Sequence, residues 1–325
     1  MKISDVIYGK IEINDPVLVE LIDSKPLQRI KKVNQAGTQL VEPHRTSTRY
    51  DHCVGVMILL RKFNASLEEQ IGGLLHDVPH TAFSHAADFV FKERESQGYH
   101  ERFLEKIVFE SEIPGILRKY KIDPEFVTND ENFSLLEQPI PNLCADRIDY
   151  ILRDMVGDKV YDQKAVDQIL SNLVVVGKIF ALKEPKIALK FARDFMGQAL
   201  HSYNGARTLT AFEIMGELIR DCFNKGILVE DDLFTTDDEV LEKIRKSKDQ
   251  NIKKLLNLLN PNLVVEFNDE DYDYETRGKV RYIDPPVKVG KSTKTLTSLM
   301  PEFKNEINEF ITKTKKGYRV KLSQI

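Results

Sequence analysis

The histidines of this 325-residue sequence are concentrated in one short region. Six of the seven lie between positions 44 and 100: His44, His52, His76, His80, His85 and His100. The seventh, His201, stands alone. Histidine is both a common metal ligand and a general acid or base near neutral pH. The crowding therefore indicates a site of chemistry in the first third of the chain.

An adjacent pair, His76 and Asp77, follows a segment with helical periodicity. At a helix end, such a pair can present an imidazole nitrogen and a carboxylate oxygen to one point. His52 and Asp146, on other predicted helices, would complete a set of two nitrogen and two oxygen ligands. Because the set has no thiolate, it suits an open site for Mn, Mg, Fe, Co, Ni or Zn better than a closed structural zinc site. A metal held this way lowers the pKa of bound water and polarises a phosphoryl oxygen, as phosphoester hydrolysis requires.

Four segments carry a resemblance to a known family. They are GTQLVEPHRTSTRYDHCVGV at 37–56, GGLLHDVPHTAFSHAAD at 72–88, GYHERFLEKIV at 98–108 and ADRIDYILRD at 145–154. In this order and spacing they resemble the motifs of HD-domain phosphohydrolases. Within that superfamily they are similar to the dNTP triphosphohydrolases, the group of the human SAM- and HD-domain enzyme and the bacterial dGTPase-like proteins.

The resemblance implies a ligand set and a catalytic group. The implied metal ligands are His52, His76, Asp77 and Asp146, the set that the residue chemistry alone suggests. The implied catalytic residues are His100, Asp88 and His80. In this scheme His100 is the general acid to the leaving oxygen, Asp88 orients its imidazole and raises its pKa, and His80 contacts the phosphates.

The resemblance also implies a nucleotide pocket. Its substrate-binding residues are Gln35, Arg49, His85, Arg147, Tyr150 and Asp154. Arg49 and Arg147 would bind the polyphosphate, Tyr150 would pack against the sugar, and Gln35 and Asp154 would hydrogen-bond its 3′-hydroxyl.

The sequence departs from the family pattern at several positions. Ser47 stands where the family usually has histidine, and Pro79 where it has glycine. The later Tyr-x-His-Lys motif has only approximate counterparts, Tyr203 and Arg207. These departures touch the base and sugar side of the pocket, so nucleotide preference stays open.

The leading hypothesis is a metal-dependent hydrolase that converts a dNTP and water into a deoxynucleoside and triphosphate. Attack at the α-phosphorus is implied by the resemblance alone. A second hypothesis keeps the hydrolase but makes it a nucleoside 5′-monophosphatase or a phosphodiesterase, since HD scaffolds support several substrates. A third is a non-catalytic module that senses nucleotides.

The predicted fold is mainly α, an HD-domain helical bundle with a small β-hairpin and a smaller C-terminal α+β region. We predict a phosphohydrolase domain over 1–225 and a C-terminal region over 226–325 that serves oligomerisation. The hairpin is predicted within 173–191, with a break at Lys183 to Pro185. One long helix is predicted from Ala192 through Phe223, and a short strand over Lys279 to Ile283.

The composition of the chain limits which classes of protein it can belong to. The net charge is −4, and 42% of residues are hydrophobic, as in ordinary soluble domains. No apolar run is long enough for a membrane span or a signal peptide, which predicts a cytoplasmic protein. The acidic balance gives no strong signal for nucleic acid. Three cysteines far apart predict reduced core thiols, and the expected assembly is a homodimer or tetramer.

Overall fold

The computed structural model describes residues 1–92 and 98–323 of the chain. Most of its regular structure is helical, which confirms the predicted mainly α class. The α-helices are α1 (Pro16–Ile22), α2 (Lys25–Ile30), α3 (Arg49–Lys62), α4 (Leu67–Leu75), α5 (Ala86–Val90), α6 (Leu104–Phe109), α7 (Ile113–Lys119), α8 (Pro124–Val127), α9 (Ala145–Gly157), α10 (Gln163–Asn172), α11 (Pro185–Gln198), α12 (Ala206–Asn224), α13 (Asp237–Arg245), α14 (Gln250–Leu258), α15 (Leu296–Leu299) and α16 (Phe303–Lys316). In the described part of the chain, none of them is long and apolar enough to cross a membrane.

Within the described ranges, the strands form three small sheets. They are β1 (Lys2–Asp5), β2 (Gly9–Glu12), β3 (Leu173–Val176), β4 (Ile179–Leu182), β5 (Val265–Phe267), β6 (Tyr274–Thr276), β7 (Pro286–Val289), β8 (Ser292–Thr295) and β9 (Tyr318–Leu322). β1 and β2 pair as an N-terminal hairpin, β3-β4-β7-β8 form one sheet and β5-β9-β6 another. The predicted hairpin is β3–β4, but its turn lies at Gly177, where φ is 65°, and the residues from Pro185 onward are helical.

Helices α3, α4 and α9 form the framework of the site, with α3 packed against both of the others. Thr48 starts α3 with a capping box: its hydroxyl accepts from the Asp51 N–H, and the Asp51 carboxylate accepts from the Thr48 N–H. Such a cap satisfies two backbone donors that the first turn leaves without partners. The Ser66 hydroxyl caps α4 by accepting from the Glu69 N–H. These caps fix where each helix begins and therefore which side chains it turns inward.

Two further predicted elements differ from the structure. The expected helix from Ala192 through Phe223 is interrupted by a π-helical turn at Ala199–Tyr203, after which Gly205 precedes α12. The expected strand over 279–283 is wrong, because 277–285 is irregular and connects β6 to β7. Val280 and Tyr282 pack against the core, and within the described residues this segment pairs with no strand.

The largest apolar cluster of the described residues joins the first half of the chain to its C-terminal part. It joins Val56 of α3, Ile148 of α9 and Phe195 of α11 to Phe303 and Phe310 of α16. All three cysteines are buried and free, in agreement with the sequence analysis. The domain boundary at 225/226 and the oligomerising role of the C-terminal region stay predictions.

Candidate active site

The four predicted metal ligands come together. The Nε2 atom of His52 lies 2.9 Å from Oδ1 of Asp146, and Nε2 of His76 lies 3.5 Å from the same oxygen. The carboxylate of Asp77 is 3.6 Å from His52 Nε2 and 3.7 Å from His76 Nε2. Two imidazole nitrogens and two carboxylates therefore face one small volume.

Helix geometry explains the convergence. His52 lies one turn inside α3, His76 ends α4, and Asp146 is the second residue of α9. On α9, residues four apart share one face, so Asp146, Tyr150 and Asp154 form a stripe along one cavity wall.

The donor set fits a divalent cation. His76 Nδ1 donates to the carbonyl of Gly73 at 2.8 Å, because a carbonyl can only accept. This leaves a lone pair on Nε2, a buried atom with no hydrogen-bond partner among the described residues. Lone pairs facing carboxylates repel unless a positive charge lies between them. Consistent with this, the charges of Asp77 and Asp146 outweigh burial and raise the pKa of His76 to about 10.

His80 and His100 lie directly beside the four predicted metal ligands. His80 Nε2 is 3.4 Å from Oδ1 of Asp77, and the rings of His80 and His100 stack with centroids 3.5 Å apart. Asp77, His80 and His100 each offer a ligand atom, all within 4.8 Å of one another. Asp77 therefore joins the predicted ligands to the predicted catalytic histidines.

The expected pairing of Asp88 with His100 is wrong. Asp88 Oδ2 lies 3.0 Å from Nδ1 of His85, its other oxygen accepts from the Tyr99 N–H, and within 1–92 and 98–323 no hydrogen bond joins it to His100. The charge of Asp88 does act to raise the pKa of His100, as expected, but its effect is outweighed. Burial and the positive charges of His85 and Arg49 outweigh the nearby carboxylates and lower that pKa to about 3.

A cavity of about 290 Å³ opens onto the ligand set. It is lined by all the predicted substrate-binding residues, Gln35, Arg49, His85, Arg147, Tyr150 and Asp154. Arg49 is already held by the Asp77 carboxylate at 2.5 Å and the Ser84 hydroxyl at 2.9 Å.

Arg147 is held in a similar way. It pairs with Glu137 at 3.2 Å and also donates to backbone carbonyls. Both arginines therefore enter the cavity with their orientation fixed by protein partners.

Three residues of the site were not found by the sequence analysis. Asp149 lies behind His52, and Lys279 and Arg281 line the cavity from the C-terminal part of the chain. Tyr203, named there only as an approximate counterpart of a family motif, donates to Asp154 at 2.6 Å. Asp149 could have been found, because it lies four residues before Arg153 and three after Asp146 on α9. Lys279 and Arg281 carry no motif, and about 125 residues separate them from α9.

The comparisons agree with this geometry. The HD domain family model matches residues 49–154, the span from the start of α3 to Asp154. The uncharacterized protein YdhJ of Bacillus subtilis is 36% identical over 325 residues, covering 99% of each chain. The chain belongs to the HD domain family. With its histidine and aspartate cluster, this HD protein is a metal-dependent phosphohydrolase.

Other similar proteins extend the comparison. The metal-dependent phosphohydrolase cns2 of Cordyceps militaris is 28% identical, covering 95% of this HD protein and 92% of cns2. A hypothetical protein from Aquifex aeolicus shares the fold, with a TM-score of 0.66 at 23% identity over 93% of this chain and 92% of that one. The deoxynucleoside triphosphate triphosphohydrolase SAMHD1 of Danio rerio is 35% identical over 104 residues, 27% of this chain and 17% of SAMHD1.

Proposed function

We propose that this HD protein hydrolyses deoxynucleoside triphosphates to deoxynucleoside and triphosphate. The observation that carries the proposal is that one cavity joins a two-nitrogen, two-oxygen ligand set to arginines suited to phosphate and to a polar wall suited to a sugar. The partial similarity to SAMHD1 supports the same substrate class.

The metal ligands in this proposal are His52, His76, Asp77 and Asp146. A divalent cation held there would supply a nucleophile at neutral pH and would neutralise charge on a phosphoryl oxygen. Arg49 adds a fixed positive charge beside Asp77 and lies within reach of a phosphate at the ligand set. His80, stacked on His100 beside Asp77, contacts the same phosphate.

We propose that His85, which pairs with Asp88, is the proton donor. The Asp88 carboxylate holds the Nδ1 of His85 and orients the ring, leaving Nε2 as the second titratable atom. His85 lines the cavity, whereas Asp88 is buried. In this proposal His85 protonates the leaving 5′-oxygen; burial lowers the pKa of His85, and its hydrogen bond to Asp88 opposes that shift. His100 supports His80 by stacking.

The sugar would lie against the α9 stripe. Tyr150 and Tyr203 meet edge to face with centroids 5.9 Å apart, and the Tyr203 hydroxyl donates to Asp154. Asp154 keeps acceptor capacity for the 3′-hydroxyl of a deoxyribose, and Gln35 faces the same cavity.

The test is product analysis by chromatography. The purified chain is incubated with each dNTP, NTP and dNMP under Mg, Mn, Co and Ni, alone and in dNTP mixtures. Release of deoxynucleoside with intact triphosphate is the expected result. Pyrophosphate with monophosphate, or no turnover of any dNTP by metal-loaded protein, would contradict it.

A nucleoside 5′-monophosphatase or phosphodiesterase is the second candidate. It is favoured by the cavity volume, which lies at the lower end for small-molecule sites. Orthophosphate released from monophosphates in the same panel would support this candidate.

A further inference from the structure

Four buried residues line the active-site cavity but have no role in the proposed function. They are Thr38, Arg45, Thr208 and Phe212. Arg45 connects this group to the sugar end of the α9 stripe: burial lowers its pKa, but the charges of Asp154, Glu42 and Asp158 outweigh burial and raise it. With the sugar against Asp154 and the phosphates at the metal ligands, the part of the substrate left to meet these residues is the base.

A shared carboxylate fixes the direction of two hydroxyl groups. The Thr38 hydroxyl donates to Oε2 of Glu42 at 2.6 Å, and the Thr208 hydroxyl donates to Oε1 of the same carboxylate at 3.4 Å. Because an ionised carboxylate can only accept, each hydroxyl has its proton directed at Glu42. The two threonine oxygens are left with lone pairs alone, so both act as acceptors for a ligand in the cavity.

The backbone holds both threonines in place. The Thr38 carbonyl accepts from the Glu42 N–H at 2.8 Å. Gly37, where φ is 73°, packs so closely on Phe83 that there is no room for a Cβ beside the Phe83 carbonyl. Thr208 is the third residue of α12. The two acceptors therefore keep their positions before a ligand binds, which lowers the cost of ordering them.

The same group supplies an aromatic surface and a donor. Phe212 lies one turn after Thr208, so the two share a face of α12. The Phe212 ring stacks on Phe89 with centroids 5.1 Å apart, and a flat base can pack against it. The Nε atom of Arg45 is buried, lies 3.6 Å from the Glu42 carboxylate and has no hydrogen-bond partner among the described residues. It remains available to an acceptor on the ligand.

Two acceptors beside one donor match a base that carries an exocyclic amino group. Adenine, cytosine and guanine each have such a group, with two N–H donors, next to a ring nitrogen that accepts. Hypoxanthine and uracil are the matched opposites of adenine and cytosine, because a carbonyl oxygen replaces the amino group. That oxygen would face the lone pairs of the two threonines with no proton between them.

We propose that Thr38 and Thr208 accept the two hydrogens of the amino group of the base, and so make this HD protein select dNTPs whose bases carry that group. Arg45 donates through Nε to the adjacent ring nitrogen, and Phe212 packs against the ring. The inference rests on the proposed function, from which it takes the position of the sugar, and it names the class of base.

The experiment compares substrates that differ in this one group. The ratio kcat/KM is measured with Mn²⁺ for dATP against 2′-deoxyinosine triphosphate and for dCTP against dUTP, in wild type, Thr38→Val and Thr208→Val. Thr210→Val is the matched control, since Thr210 lies on the same helix, donates to the Ala206 carbonyl and is not a lining residue of the cavity. Thr208→Ser keeps the hydroxyl. Metal content and thermal unfolding confirm that each variant is folded and loaded.

Wild type is expected to favour the amino-bearing substrate of each pair by about tenfold or more, since a carbonyl oxygen leaves both threonine acceptors unpaired. Thr38→Val and Thr208→Val should bring both preferences toward one, mainly by losing activity on the amino-bearing substrate. Thr208→Ser and Thr210→Val should keep the wild-type preferences. Wild-type preferences near one, or preferences that survive in both Val variants, would overturn the inference.

A binding measurement separates the inference from the proposed function. Calorimetry compares deoxyadenosine with deoxyinosine in wild type and the two Val variants, and it requires no turnover. A preference for deoxyadenosine that both Val variants lose, in a chain that releases no triphosphate from any dNTP, would refute the proposed function and leave the inference standing. Release of triphosphate from every dNTP with no preference for the amino group would overturn the inference and support the proposed function.

Discussion

The Nδ1 atom of His52 lies 2.8 Å from Oδ2 of Asp149, and both side chains are fully buried. Asp149 is held in turn by Arg153, whose Nε lies 2.7 Å from the same oxygen, and Arg153 also pairs with Asp5 of β1 at 2.7 Å. The chain of contacts fixes the His52 ring so that Nε2 faces Asp146 and Asp77. A carboxylate behind a ligating histidine orients the ring and makes it a stronger ligand.

Replacing Asp149 should weaken metal binding. Asp149→Asn is expected to lower affinity for Mn²⁺ or Co²⁺ by about 10–100-fold, measured by titration calorimetry. Asp5→Asn is the matched control, since it removes another partner of Arg153 but leaves the Asp149 carboxylate. It should lower stability while leaving metal affinity within about threefold. Equal metal affinities for the two variants would mean that Asp149 is only structural.

The Asp88–His85 pair should act as a unit in turnover. His85→Asn and Asp88→Asn are each expected to lower kcat for a dNTP by about 10²-fold or more, with the double variant little worse than either single one. Metal content should stay at the wild-type level. His100→Asn is the comparison, because His100 was the acid that the sequence analysis predicted. A larger loss for His100→Asn than for His85→Asn would return the acid role to His100.

Asp154 should accept a hydrogen bond from the 3′-hydroxyl of the sugar. In wild type, a 2′,3′-dideoxynucleoside triphosphate is expected to give a kcat/KM about tenfold or more below that of the dNTP, since the carboxylate then lacks its donor. Asp154→Asn should reduce that ratio toward one, mainly by losing activity on the dNTP. An unchanged ratio in the variant would place the 3′-hydroxyl elsewhere, with Gln35 as the next residue to replace.

Gly278 should be required for the position of segment 277–285. Gly278→Ala puts a methyl group against Asn204, so we expect KM for a dNTP to rise about tenfold with metal content unchanged. Adding Asn204→Ala makes room and should recover part of the loss. Gly197→Ala on α11, where the added carbon meets nothing within 4 Å, is the control and should leave KM unchanged.

Asp237 should make stability depend on pH. Burial raises the pKa of its carboxyl to about 6, although the backbone N–H groups of Phe83 and Asn34 each donate to it at 2.8 Å. The unfolded value is about 3.9, so the folded state binds the proton more tightly. The group therefore contributes most stability in acid and loses it as pH rises through about 6.

Denaturant unfolding at pH 5 and pH 7 measures this effect. For wild type relative to Asp237→Asn, the difference in free energy of unfolding should be about 1 kcal/mol larger at pH 5 than at pH 7. The variant should also be less stable at both pH values, because the carboxylate accepts three hydrogen bonds and an amide oxygen replaces only part of them. A difference that does not change with pH would show that Asp237 has no shifted pKa.

Local sequence was enough to predict which four residues converge at the proposed metal site. His52, His76, Asp77 and Asp146 are each placed by a helix whose start or end is encoded nearby, by Thr48 for α3 and Ser66 for α4. Helical spacing likewise places Tyr150 and Asp154 on one face. The partner of Asp88 could not be predicted this way, because His85 and His100 are both within reach and only the packed turn before α5 selects His85.

What the sequence determined by itself is therefore the chemistry: the residue types, their order and the helices that carry them, all fixed by local periodicity and capping. What only the tertiary structure decided is the set of contacts between residues distant in the chain. Asp149 stands behind His52 because α9 crosses α3, and Lys279 and Arg281 reach the cavity because Gly278 fits beside Asn204. No local pattern specifies these contacts, since they depend on how whole elements pack against one another.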